Sequence, residues 1–477
     1  MGKKKNDSIR ISFVDSMSAK DVTGSCTLVE TPNHKILVDC GLYQSDNLID
    51  DFKLNKRHFK EFKPREITDL FVTHLHLDHI GLIPRLYMEG YGGSVIMAKN
   101  NFEASIPMLR DSAFITERDA TIINQQRGTN YKPLYTLEEA NVATAHIMEY
   151  PYREKIKIDD ELSFELYDAG HLLGSAQIKL YITVNNITKT ILFTGDIGNE
   201  IIGNRFVGQF ERVDKADVIV AESTYGDRPT FKTTKKEREN DLEKIKTIIE
   251  NVVIESKGRV LMPVFAQCRS QQLLLMLYRI FKDRTDTPEF YLDSPLAVDI
   301  TKVYEHILDE QDKKDLCEAL DWKHIHLIDD VEQSMSLVME KKSGVYLSSS
   351  GFMNAGRVRK YLKNIINDAN ACILFCGYSS PNSLAGIIKN PKTHTVTIDQ
   401  KVYSVKCAVY CLKSLSGHAP FNQLVDYYTS INCNKIILNH GSESAKNTLA
   451  ENLKKGLERK CNTARVIIAN NSLKLSI

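Results

Sequence analysis

The heptapeptide Thr73-His74-Leu75-His76-Leu77-Asp78-His79 restricts this chain more than any other stretch. Three imidazoles and a carboxylate at such spacing cannot share one face of a helix or a strand. They converge only where the chain turns beyond a strand end. The run Asp69-Leu70-Phe71-Val72 just before them supplies that strand. Imidazole nitrogen and carboxylate oxygen suit Zn²⁺, or Mn²⁺ and Fe²⁺ where availability decides. One such motif cannot complete two coordination shells, so further His and Asp side chains must come from elsewhere.

The first half of the chain offers them in a repeating style, an apolar strand ending in one polar residue within a Gly-rich turn. Ile36-Leu37-Val38 runs into Asp39-Cys40-Gly41, and Glu161 to Asp168 runs into Ala169-Gly170-His171. Lys189 to Phe193 runs into Thr194-Gly195-Asp196. Singly, each is an ordinary turn residue. As a series, they place Asp39, His171 and Asp196 along one edge of a β-sandwich. The style returns after Thr395, with Ser416-Gly417-His418 and with Asn434 to Leu438 leading to Asn439-His440-Gly441.

Between these parts the pattern changes. Val218 to Ala221 leads into Glu222-Ser223-Thr224-Tyr225-Gly226, and Lys232 to Glu243 reads as a solvated helix start. Strands then alternate with helices (260–266, 270–281, 289–293, a helix opened by Ser294 and Pro295, 344–347, a helix from Arg357, 371–376). Such alternation predicts a parallel sheet covered by helices, with anion-binding loops at its strand ends. Arg269, Ser349, Ser350, Ser379 and Ser380 fall on those loops as candidate phosphate contacts. The chain therefore reads as one architecture (1–225) interrupted by a second (226–394) and completed over 395–477.

Bulk charge is uninformative, since 62 Lys+Arg stand against 61 Asp+Glu; a polyanion would need a local basic surface. No apolar run reaches membrane-span length, and Met1-Gly2-Lys3-Lys4-Lys5-Asn6 lacks the apolar core of a signal peptide. The ten cysteines include no CxxC pair. Cys372/Cys376 and Cys407/Cys411 lie in apolar runs as small buried thiols, which fits a reducing cytoplasm.

Taken in order, these motifs resemble the β-CASP nucleases of the metallo-β-lactamase fold. The resemblance spans nearly the whole chain, through His74-x-His76-x-Asp78-His79, Asp39, His171, Asp196 and Glu222-Ser223-Thr224-Tyr225. It continues through Pro263-x-Phe265-Ala266, Asp293-Ser294-Pro295-Leu296-Ala297, Ser349-Ser350-Gly351-Phe352-Met353, His418 and Asn439-His440-Gly441. It implies an α/β protein, a four-layer αββα lactamase domain carrying an inserted α/β β-CASP domain. It also implies two Zn²⁺ per chain, one held by His74, His76 and His171, the other by Asp78, His79 and His440. Asp196 would bridge them, with Asp39 behind the ligands. Asp78, His418 and Glu222 would form the catalytic set, His418 poised on the leaving group and Glu222 orienting it.

The implied activity is hydrolysis of RNA to 5′-phosphate and 3′-hydroxyl products, with a water activated between two metals. RNA is the expected partner, a membrane is not, and a homodimer is left open, as is the balance of exonuclease and endonuclease action. The pattern departs from relatives at Ala419-Pro420, which stand where Ala-Asp is usual. Only 37 residues follow His440, which leaves no room for the extra C-terminal domain of some relatives. Two other readings compete, a small-molecule hydrolase of the same superfamily and an inactive scaffold subunit. The insert argues against the first and the filled ligand positions against the second.

Overall fold

A computed structural model describes the chain apart from residues 1–7, 15–18, 20, 46, 57, 201–205, 231–232, 378, 413 and 472. It divides into two compact units. Met1–Glu200, Val207–Lys232 and His418–Ile477 form the first; Ile201–Phe206 and Thr233–Gly417 form the second.

Two seven-stranded sheets make the first unit. One has the order Lys474–Ser476, Arg10–Phe13, Thr27–Glu30, Lys35–Val38, Asp69–Phe71, Val95–Ala98, Ile147–Tyr150. The other has the order Arg465–Ile468, Lys435–Leu438, Val218–Ala221, Ile187–Phe193, Ala176–Val184, Leu162–Asp168, Ile156–Lys157. Ile11, Val29, Val38 and Phe71 of the first meet Phe164, Ile178, Leu180 and Phe193 of the second in one buried cluster. The Phe71 and Phe164 rings lie edge to face at 5.0 Å.

The second sheet is covered on its other face too. Leu192, Ile219, Ile436 and Leu438 pack with Leu424 and Tyr428 of the helix Phe421–Ser430 and Leu449 and Leu453 of Glu443–Arg459. Burial on both faces explains why Val218–Ala221 reads as a continuous apolar run and not as an alternating one. Outside the first sheet, Val95 and Met97 line one small apolar cavity with Ile83, Leu109 and Ala143 of the helices Ile83–Met88, Phe102–Arg127 and Leu137–Ala145. Thr136 caps the last of these with Glu139 in a capping box. The layers are therefore helix, sheet, sheet, helix.

Three strands that end at the ligand candidates begin at one polar clamp. His34 precedes Lys35–Val38; its Nδ1 lies 2.7 Å from Asp69 Oδ2, at the start of Asp69–Phe71. Its Nε2 lies 2.9 Å from Asp159 Oδ2, just before Leu162–Asp168 of the other sheet. Bonding to Asp69 outweighs burial and, with Asp159, pushes the His34 pKa up to about 9.

The second unit holds a six-stranded parallel sheet, in the order Ile325–Ile328, Phe290–Asp293, Gly344–Ser348, Arg259–Pro263, Cys372–Phe375, Ala408–Cys411. The expected return to the first architecture at 395 differs from the structure. The apolar run 402–410 is not one strand. Lys401–Ser404 pairs with Thr395–Ile398 in a hairpin, and Ala408–Cys411 then pairs in parallel with Cys372–Phe375. The second unit thus extends to Gly417. Cys411 is exposed on that outer strand, whereas Cys372, Cys376 and Cys407 are buried as anticipated. Within the charge run 232–243 Asp241 is also buried, and accepts hydrogen bonds from Ser414 N and Oγ at 3.1 and 2.7 Å.

A proton held on His34 in the folded state stabilises the fold fully below the ordinary imidazole pKa of about 6.5 and is lost as pH rises through about 9. His34→Gln is expected to destabilise the protein by on the order of 2 kcal/mol near pH 6, with the deficit shrinking towards pH 10. Chemical denaturation across that range checks it; a deficit independent of pH would show that His34 acts only by packing.

Candidate metal centre

Each candidate ligand lies just beyond a strand of the first unit, and short-range backbone contacts lock its turn. The helix Leu77–Ile80, which carries Asp78 and His79, is tied to the turns before and after its neighbouring strands. Ser25 N donates to Asp78 O and Cys40 N to His79 O, both at 2.7 Å. Gly41 is required there, because a Cβ would sit 1.7 Å from Asp78 O. Gly198 has the same need, at 1.7 Å from Gly170 O, where the turns bearing Asp196 and His171 cross. Asp39 (φ 63°) and His440 (φ 46°) are both left-handed. Non-glycine residues held this way carry backbone strain that only a fixed surrounding sustains.

The side chains converge. His74 Nε2 lies 3.0 Å from His76 Nδ1, and His171 Nε2 lies 3.3 Å from that same Nδ1. Asp196 Oδ2 is 3.7 Å from both His74 Nε2 and His171 Nε2. Its other oxygen, Oδ1, faces His79 Nε2 at 3.7 Å and His440 Nδ1 at 3.1 Å. Asp78 Oδ2 is 3.6 Å from His79 Nε2 and 3.3 Å from His440 Nε2. Tetrahedral donors about 2.1 Å from a Zn²⁺ stand roughly 3.4 Å from one another, so these spacings fit two adjoining cation sites. His74, His76, His171 and Asp196 could hold one ion, and Asp78, His79 and His440 another.

Buried polar atoms point the same way. His79 Nε2, Asp196 Oδ1 and His440 Nδ1 are sealed from solvent without a hydrogen-bond partner. Such atoms cost free energy unless something charged satisfies them. A divalent cation does so.

Behind them sits Asp39. Its Oδ2 lies 2.7 Å from His79 Nδ1, fixing the imidazole so that Nε2 faces inward. Thr73 N donates to Asp39 Oδ1 at 2.8 Å and Ser25 Oγ to Oδ2 at 3.1 Å. Ser25, and Thr73 at the head of the His motif, carry no sequence signal of this role; they reach Asp39 through sheet register.

Charge follows geometry. Burial, then neighbouring imidazoles, hold the His74 pKa well below its ordinary value, and burial brings His76 to about 4. Both are kept neutral, the form that ligates metal. Burial opposes a proton on His79, yet Asp39, Asp78 and Asp196 outweigh it and raise its pKa to about 10. Burial alone would raise Asp78; His79 and His440 instead hold it below the carboxylate range.

His418 borders this cluster. Its ring centroid is 4.5 Å from that of His171, and its Nδ1 is 3.7 Å from Glu222 Oε1 and 3.9 Å from Asp196 Oδ2. Glu222 is itself fixed, accepting from Ile197 N at 2.8 Å and Thr224 N at 3.0 Å. Ala419 N donates to Ile197 O at 2.8 Å, and Pro420 then starts the helix Phe421–Ser430 without a side-chain cap. The altered pair Ala419-Pro420 thus leaves His418 beside Glu222. His76, Asp78 and His418 are the half-buried members, so the cluster opens on their side.

The five candidate phosphate contacts lie in the second unit, after three adjacent parallel strands. Arg269 follows Arg259–Pro263, Ser349 and Ser350 follow Gly344–Ser348, and Ser379 and Ser380 follow Cys372–Phe375. Two hydroxyls are engaged within the unit: Ser349 Oγ is 2.7 Å from Ser294 Oγ of the loop after Phe290–Asp293, and Ser350 Oγ donates to Ala355 O of its own loop at 3.2 Å.

Three family models match the chain in succession. They are the metallo-beta-lactamase superfamily over residues 19–90, the Beta-Casp domain over 270–388, and the Zn-dependent metallo-hydrolase RNA specificity domain over 402–464. The chain belongs to the β-CASP family of the metallo-β-lactamase fold. Among β-CASP relatives, a ribonuclease of Thermus thermophilus is 28% identical over 89% of this chain and 92% of its own length. An RNase J-like protein of Methanocaldococcus jannaschii is 29% identical over 87% and 89%. The transcription termination factor FttA of the same organism is 27% identical over 91% and 67%. A crystal structure of an Enterococcus faecalis protein of unknown function aligns over 98% of this chain and 100% of its own with a TM-score of 0.51. At 13% identity it attests the fold alone.

Because Asp39 holds His79 by its far nitrogen, Asp39→Asn is expected to weaken metal affinity about 10–100-fold with the fold retained. Chelator competition with thermal denaturation alongside checks this. Unchanged affinity would mean that His79 does not need Asp39 to face the metals.

Proposed function

We propose that this chain is a two-zinc ribonuclease that hydrolyses RNA phosphodiesters. The observation that carries the reading is the single carboxylate of Asp196, whose two oxygens face two separate groups of donors. The names of its relatives support RNA as the substrate class. In this reading His74, His76 and His171 hold one Zn²⁺, Asp78, His79 and His440 the other, and Asp196 spans both. When bound, such a pair supplies Lewis-acid activation of water and screens charge in an in-line displacement at phosphorus.

The remaining work belongs to side chains. Hydrolysis to a 5′-phosphate and a 3′-hydroxyl requires a proton for the departing 3′ oxygen. Burial opposes a proton on His418, but Glu222 and Asp196 outweigh it and raise its pKa, which favours the protonated form that can donate. Glu222, held by two backbone N–H groups, keeps the ring turned with Nδ1 inward. Nε2 is then left to donate. A small-molecule hydrolase is the weaker reading, because a second α/β unit of this size has no use there.

His418→Ala is expected to retain bound zinc while slowing RNA cleavage about 10²–10⁴-fold. Metal analysis beside single-turnover kinetics on labelled RNA decides it. Loss of zinc in step with activity would make His418 a ligand. Turnover of a thioester panel without RNA cleavage by the wild type would overturn the ribonuclease reading.

A further inference from the structure

Directly after Glu222 the chain makes two successive tight turns. Gly226 N donates to Ser223 O at 2.9 Å, and Arg228 N donates to Tyr225 O at 3.1 Å. The first turn is pressed onto the helix Glu443–Arg459 so closely that a Cβ on Gly226 would lie 2.4 Å from Ala445 O. Tyr225 is buried there, its ring 6.0 Å from that of His418 and nearly perpendicular to it. The Arg228 guanidinium carbon stands 4.8 Å from the Tyr225 ring centroid, while 42% of its side chain stays exposed. Together these separations put the guanidinium within about 11 Å of the His418 imidazole.

We propose that Arg228 is a substrate-binding residue, holding an RNA phosphate on the 5′ side of the scissile one. The inference rests on the ribonuclease reading above and deepens it. Four carboxylates, Asp39, Asp78, Asp196 and Glu222, lie in or against the centre. Their charge offsets most of that of two divalent cations and His418, so the centre itself offers little attraction to the phosphates flanking the cleaved bond. Those phosphates need a cation of their own. A guanidinium held over a buried ring is partly positioned before substrate arrives and can offer paired N–H groups to phosphate oxygens.

Side and reach follow from His418. Because His418 serves the departing 3′ oxygen, a cation within about 11 Å of it is in reach of the strand leading up to the cut, about one or two nucleotides away. Asp227 is one competitor, with Oδ1 3.9 Å from Arg228 Nε. An exposed pair at that distance is weak enough for a phosphate to displace.

The test walks one neutral methylphosphonate linkage through a short RNA, using the full chain with Arg228 intact, Arg228→Gln and Arg228→Lys. Cleavage kinetics are read in one arm, and equilibrium binding in chelator in the other. The wild type is expected to lose about tenfold in affinity when the first or second linkage upstream of the cut is neutral. Arg228→Gln should raise KM about tenfold with kcat little changed, lower the salt slope by about one, and ignore that linkage. Arg228→Lys should recover part of the affinity. Equal upstream sensitivity in wild type and Arg228→Gln would overturn the proposal, as would a fall in kcat and Tm without linkage dependence. Failure of the wild type to cleave any RNA would sink the ribonuclease reading instead, and the salt slope of binding, compared between wild type and Arg228→Gln, would still decide Arg228.

Discussion

Everything in the first unit depends on keeping six imidazoles and four carboxylates packed together, most of them out of water. Asp39, His74, His79, His171, Asp196, Glu222 and His440 are all buried. Protons alone satisfy such a cluster poorly: His74 and His76 are pushed to give theirs up while His79 is pushed to keep its own. Bringing so much unlike charge together inside a protein is expensive unless cations complete it. Asp196 is where the problem concentrates, since one buried carboxylate must serve donors on both its sides. The centre is best understood as a metal cradle whose second coordination layer, Asp39 with Ser25 and Thr73, is as fixed as its ligands.

The sandwich exists to solve a placement problem. His74, His171, Asp196 and His440 are far apart in sequence, and only strand ends gathered along one edge let them meet within a few ångströms. Strands buried on both faces, such as Val218–Ala221 and Lys435–Leu438, anchor that edge within the core. The His34 clamp fixes the opposite ends of three strands that terminate in ligand turns. Left-handed Asp39 and His440 show that the backbone is bent to suit the site.

Much of this was legible in sequence, for a physical reason. A metal ligand at a strand end leaves a local signature, an apolar run followed by His or Asp and Gly, and the structure brings those residues of 39, 74–79, 171, 196 and 440 together. What was illegible depends on partners far along the chain. Ser25 and Thr73 look like any small polar residues until register sets them on Asp39. The strand Ala408–Cys411 could not be assigned to a sheet, since an apolar run does not state its neighbour. The strand Ile325–Ile328 and the helices Glu310–Leu320 and Val331–Glu340 lie where the sequence offers no ligand turn to mark them, although both helices are amphipathic. Ser349 and Ser350 suggested phosphate contacts by loop position, whereas their hydroxyls turn to Ser294 and Ala355.

The most direct test of the two-metal centre is anomalous diffraction at the zinc edge from crystals of the zinc-loaded protein. The account predicts two peaks about 3.5–4 Å apart with Asp196 between them. A single peak, or two peaks away from Asp196, would contradict it.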